Sequence, residues 1–283
     1  MEIIGHKKQR EILKKIVSLN EVSHAILFSG PEKIGKKTIA FNLISSLFGE
    51  KDISSHPDFI LIEPQEKQIQ INQIRDLSWR LSLRPMKAPL LGVVIDEAHS
   101  MTREAQNCFL KTLEEPKSQS ILLLISNHPN LLLPTILSRC ENIKFYPVRR
   151  EEIRKYLNKK ISKEETEEIL NFSLGRPGLA IEMLRNPDRI KSTKKKIKEL
   201  IEILHSPLSL RFKYAKELSE DKNLKETLKI WLIHFRDKLV CCRDKMNLTR
   251  IKNILNEIQE TIFLISTTNV NPKLALEILM MKL

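Results

Sequence analysis

Five short runs of nearly unbroken apolar character recur through the first half of the chain, at residues 25–29, 59–62, 90–95, 121–126 and 143–146. Runs this short, without polar alternation, suit strands covered on both faces, which is the situation inside a parallel sheet. Stretches with helical spacing separate them; in 9–20, for example, Ile12, Leu13, Ile16 and Val17 share one side. Parallel neighbours require such crossovers. Residues 1–147 are therefore expected to form an α/β domain, a parallel sheet with helices on both faces.

After Pro147 the strand pattern stops. Ser162-Lys163-Glu164-Glu165 has the form of a capping box that opens a helix, and Gly175-Arg176-Pro177-Gly178 breaks the pattern and starts another. Beyond Pro187 long amphipathic helices are expected, including 226–240 and 249–265, with Asn271-Pro272 at the entry to a last one. The layout read from this is 1–147 α/β, 148–187 a small helical domain, and 188–283 an all-helical domain. Net charge is +13 over 283 residues, of which 1–147 carry +3 and 148–283 carry +10. The basic second half can attract nucleic acid. Its densest run, 189–198, is nevertheless laid out like a helix with one wet face, and few aromatics interleave with it to stack on bases. Cys108, Cys140, Cys241 and Cys242 have no metal-ligand or disulfide spacing, so they read as thiols in a reducing compartment. No apolar run reaches membrane-spanning length and the start lacks a signal peptide's apolar stretch, so a cytoplasmic location is expected.

Three motifs carry chemistry. Gly30-Pro31-Glu32-Lys33-Ile34-Gly35-Lys36-Lys37-Thr38 follows the first apolar run and nearly spells the phosphate-cradling loop G-x-x-x-x-G-K-[ST]. Lys36 stands where it would reach β- and γ-phosphates. The next residue should be a hydroxyl that holds Mg²⁺, and here it is Lys37, which repels a cation. Thr38 comes one place late, roughly 100° round the helix. The run 93–95 ends in Asp96-Glu97, placing two carboxylates at the sheet's carboxyl edge, where Asp96 could hold a metal and Glu97 could polarise water. A strand that simply ends in two acids would look the same. Arg139, in Pro134-Thr135-Ile136-Leu137-Ser138-Arg139-Cys140, lies at the end of a helix before the last strand, where a guanidinium could reach a neighbour's phosphate site or simply face solvent.

Together these pieces resemble the bacterial DNA polymerase III clamp-loader family of the AAA+ superfamily, over essentially the whole chain. Glu2-Ile3-Ile4-Gly5-His6 is similar to its opening segment and His24-Ala25-Ile26-Leu27-Phe28-Ser29-Gly30 to its first strand and loop. Asn107-Cys108-Phe109-Leu110-Lys111-Thr112-Leu113-Glu114-Glu115-Pro116 is similar to its very specific "LLKTLEEP" helix, and Leu132 to Cys140 to its Ser-Arg-Cys motif. The resemblance implies an AAA+ domain, a helical lid and a helical collar. It implies that Arg139 is an arginine finger acting in trans. It implies partners too: delta and gamma/tau clamp-loader subunits in a hetero-oligomer, with the sliding clamp and primer–template DNA, in a bacterial replisome and not at a membrane.

Within that family the profile is similar to the delta-prime subunits, stators that do not fire themselves. The motif hydroxyl is lost at Lys37, the lid arginine of a G-x-x-R pattern would fall on Gly178, and 268–277 resembles the delta-prime ending. Gly30, Gly35, Lys36, Thr38, Asp96 and Glu97 would then be a degenerate nucleotide site, with ATP binding weak or absent, no cofactor required and no turnover expected. The zinc module of many relatives is missing its cysteines between 48 and 58, so no zinc is expected, and His56 reads as a turn residue. A gamma/tau-type motor using Thr38, or a AAA+ DNA-binding protein unrelated to clamps, are the competing readings.

Overall fold

A computed structural model describes residues 3–18, 24–114, 119–221, 223–241, 245–268 and 270–283. Glu2, Asn20, Glu115, Pro116, Cys242 and Asn269, on which parts of the sequence reading fell, lie outside these. Five parallel strands form one sheet in the order β2-β3-β4-β1-β5: β1 (Ala25–Ser29), β2 (Phe59–Ile62), β3 (Leu91–Ile95), β4 (Ser120–Ser126) and β5 (Glu141–Lys144). Strands β1, β3 and β4 are buried almost throughout, as their continuous apolarity requires. The last strand begins two residues before its apolar run, because Glu141 and Asn142 pair with β1 through their backbones. An edge strand needs apolar side chains only where it is covered.

Alternate strand residues feed two separate cores. Leu27, Ile62, Val93, Ile95, Leu122 and Leu124 pack with side chains of α3 (Ile71–Arg80), α4 (Arg103–Glu114) and α5 (Pro134–Leu137). Ile26, Phe28, Val94, Leu123 and Ile143 pack with α1 (Lys7–Ser18) and α2 (Lys36–Phe48). The sheet is thus sandwiched between helices, the arrangement expected from the sequence.

The remaining helices are α6 (Arg150–Leu157), α7 (Lys163–Ser173), α8 (Pro177–Arg185), α9 (Pro187–Leu204), α10 (Leu208–Glu220), α11 (Leu224–Cys241), α12 (Lys245–Thr267) and α13 (Pro272–Lys282). The expected capping box opens α7: the Glu165 amide donates to Ser162 Oγ at 3.3 Å, and the Ser162 amide to Glu165 Oε2 at 3.2 Å. Asn271 caps α13 by accepting from the Lys273 amide at 3.0 Å. The chain falls into two compact units, Met1–Thr166 with Gly175–Ala180, and Glu167–Leu174 with Ile181–Leu283. The second has its own core of helix side chains around the fully buried Trp231, including Leu200, Leu228, Ile258, Leu276 and Met280. Among the described residues no helix is long and apolar enough to cross a membrane.

Candidate functional site

Strand register decides which residues meet at the carboxyl edge of the sheet. Ile62 of β2 stands opposite Ile95 of β3, so the residues that follow, Glu63 and Asp96, leave the edge side by side. Between them lies the ammonium of Lys37, from the first turn of α2. Its Nζ donates to Glu63 Oε1 and stands 3.1 Å from Asp96 Oδ2. The other Asp96 oxygen, Oδ1, accepts from the Glu97 amide at 3.0 Å. Burial works against the charge on Lys37, but the bonds to Glu63 and Asp96 outweigh it and hold its pKa above that of an ordinary lysine.

Two strand pairs over, Ser29 of β1 stands opposite Ser126 of β4, which brings Gly30 and Asn127 together. Lys36 is buried beneath them. Its Nζ donates to Gly30 O at 2.5 Å, Pro31 O at 2.7 Å and Asn127 Oδ1 at 2.7 Å. An ammonium has three hydrogens to donate, and three acceptors from the protein take them. Burial pulls its pKa down to about 8, with Asp96 and Glu32 opposing. Gly30 is required at its place, since a Cβ there would meet Phe145 O at 2.4 Å.

The loop is also held from outside. His6 Nε2 lies 2.9 Å from Ile34 O, and burial lowers the His6 pKa against the opposing bond to that carbonyl. The amide of Gly178, in the first turn of α8, donates to Lys33 O at 2.8 Å, and a Cβ on Gly178 would stand 2.6 Å from that oxygen. The place where the resemblance puts a lid arginine is therefore in direct backbone contact with the loop. Glu97 has a left-handed φ of 49°; partial desolvation of its carboxylate, then the neighbouring Asp96, raises its pKa. It makes no side-chain cap to the 3₁₀ turn Ala98–Ser100 that follows. Burial, then His128, pulls His99 down to about 4, and the two rings meet edge to face at 5.2 Å. Thr38 lines, with Lys37, Phe41, Asn42 and residues 51–54, a cavity of about 340 Å³.

A divalent cation at such a loop needs carboxylate, hydroxyl and water oxygens in an octahedron. Here the hydroxyl is missing and both Asp96 oxygens are engaged, one by an ammonium, so the residues present do not fit the ion. Among the described residues no group of three or more His, Cys, Asp or Glu could hold a metal. Arg139 lies away from this cluster in sequence and fold. Its Nη2 pairs with Glu114 Oε1 at 2.8 Å, its Nη1 donates to Thr135 O at 3.0 Å, and the side chain stays 38% exposed. Burial pushes the neighbouring Cys140 thiol up to about 11, which keeps it inert.

Sequence reasoning brought together Gly30, Gly35, Lys36, Thr38, Asp96 and Glu97; the structure places the loop residues and the two acids at one edge, with Thr38 lining the cavity formed with Asn42 and residues 51–54. It missed Glu63 and Asn127. Each is the first polar residue beyond a buried strand, the same signal that pointed to Asp96 after Ile95.

Residues 5–149 match the family described as "DNA polymerase III, delta subunit", just over half of the 283-residue chain. The chain is 27% identical over 263 residues to the DNA polymerase III subunit delta' of Bacillus subtilis, covering 83% of this chain and 80% of that protein. It is 35% identical over 136 residues to the Pseudomonas aeruginosa subunit of the same name, covering 42% of each. Among solved structures, a DNA polymerase III gamma subunit-related protein of Thermotoga maritima superposes with a TM-score of 0.55 at 20% identity, covering 95% of this chain and 97% of that one. That last likeness establishes the fold.

Proposed function

Because this chain belongs to the DNA polymerase III delta subunit family, we propose that it acts as the delta-prime stator of a clamp loader. In this reading it assembles with delta and gamma/tau subunits and helps place the sliding clamp on primer–template DNA. It neither needs nor hydrolyses ATP, and it lends Arg139 to the ATP site of a neighbouring subunit. One observation carries the reading: the loop position that should offer a hydroxyl is Lys37, whose ammonium is paired with Asp96 and Glu63. An ATPase needs Asp96 free to hold the metal and Lys36 free to reach the phosphates. Here both are bonded within the protein. Arg139, by contrast, keeps a planar charge exposed to solvent, as a residue acting on another subunit must.

The test is steady-state ATP turnover by the purified chain, alone and beside a gamma/tau subunit. No turnover above background is expected from the chain alone. A rate similar to the motor's, abolished by Lys36→Ala, would overturn the stator reading and favour a motor.

A further inference from the structure

We propose that Lys37 is a built-in substitute for the divalent cation, so that Asp96 and Glu63 are kept as its counter-ions and the edge of the sheet is complete without metal. In a phosphate-loop enzyme the carboxylate after the third strand is balanced by a metal that comes and goes with the nucleotide. Two carboxylates side by side at one sheet edge repel each other, and some positive charge has to stand near them. Here the register of β2 on β3 forces Glu63 and Asp96 together, and Lys37 reaches both. The residue that removes the metal's hydroxyl ligand thus supplies a positive charge at the same place. It also accounts for the survival of Asp96 in a site with no turnover: without that carboxylate, Lys37 loses one of its two partners.

This inference rests on reading the loop as a former nucleotide site, but its test reads cation binding and not turnover, so the two can fail separately. The full chain is titrated with Mn²⁺ alone and the free ion followed by electron paramagnetic resonance. Thermal melting is measured in chelator and in millimolar Mg²⁺. The wild type should bind no Mn²⁺ at this edge and melt at the same temperature in both buffers. Lys37→Thr, which removes the ammonium and restores a hydroxyl, should bind one equivalent of Mn²⁺ and melt higher in Mg²⁺ than in chelator. Adding Asp96→Asn to that variant should abolish both effects. Lys37→Ser is carried in parallel in case the threonine variant does not fold, and the wild-type titration depends on neither. Mn²⁺ binding by the wild type that disappears in Asp96→Asn would overturn the proposal. So would a folded Lys37→Thr or Lys37→Ser chain that takes up no cation.

Discussion

Arg139 is held by Glu114 Oε1 and by Thr135 O, which orients the guanidinium while leaving it more than a third exposed. An exposed pair of this kind contributes about 0–1 kcal/mol to stability, so Arg139→Ala should leave the melting temperature of the isolated chain nearly unchanged. In the assembled loader, the same change should lower clamp- and DNA-stimulated ATPase. A finger in trans contributes roughly 10³–10⁵ in rate at its own site, diluted in the complex because other sites keep theirs. Arg139→Lys should rescue poorly, since an ammonium lacks the planar fork. Wild-type loading rates by an assembled Arg139→Ala complex would reduce Arg139 to a surface residue. Asp58 illustrates the opposite case, a carboxylate used for structure. It is 1% exposed and accepts from the amides of Met86, Lys87 and Ala88 at 2.7, 2.7 and 2.8 Å. Burial raises its pKa, and the three amides overcome that and hold it below the ordinary value. A depressed folded pKa means the contribution is present above the unfolded pKa and is lost as pH falls through the folded one. Asp58→Ala should therefore cost roughly 2–3 kcal/mol near neutral pH in chemical denaturation, with the difference from wild type shrinking in acid.

At the scale of the element, helix α9 shows how a charge run is neutralised. Lys191 pairs with Asp188 at 3.2 Å, Lys194 with Glu168 at 2.7 Å, Lys195 with Glu199 and Lys198 with Glu202 at 3.9 Å, and Arg189 with Glu182 and Glu226. Most of the run's cations have carboxylate partners, some on the same helix and some from neighbouring segments that the local pattern could not indicate. The geometry favours the wet-face reading of 189–198. Helix α8 presents a different constraint, because its first turn reaches the phosphate loop through backbone. Gly178→Ala puts a Cβ 2.6 Å from Lys33 O, and backbone on both sides cannot yield cheaply. Overpacking of this kind costs about 1–3 kcal/mol, and the loss should appear in denaturant midpoints together with faster proteolysis at residues 175–180. An unchanged midpoint would mean that α8 moves off the loop freely.

For the whole molecule, the helical unit has a core of its own but none of the chemical motifs. Under the proposed assembly its work is to hold partners. A chain ending at residue 187 should lose co-purification with gamma/tau and delta subunits; stoichiometric assembly by the truncated chain would move the contact into 1–187.

The layers and the deficit are legible in the residues alone. Continuous apolar runs at helix-long intervals suit a doubly covered parallel sheet, and a lysine in the hydroxyl position is visible as a letter. Asp96 was legible because it follows a strand directly. What fills the deficit is set by the folded chain. Glu63 and Asp96 are far apart along the chain, and nothing local says that Lys37 lies between them; the register of two strands joined by a helix does. Asn127 meets Lys36 by the same means, across β1 and β4. Gly178 comes against Lys33 only when α8 folds back onto the loop. Periodicity records which face of an element is buried, because burial repeats along the chain. A contact between single residues at a sheet edge does not repeat, so it leaves no periodic trace and is fixed only when the strands align.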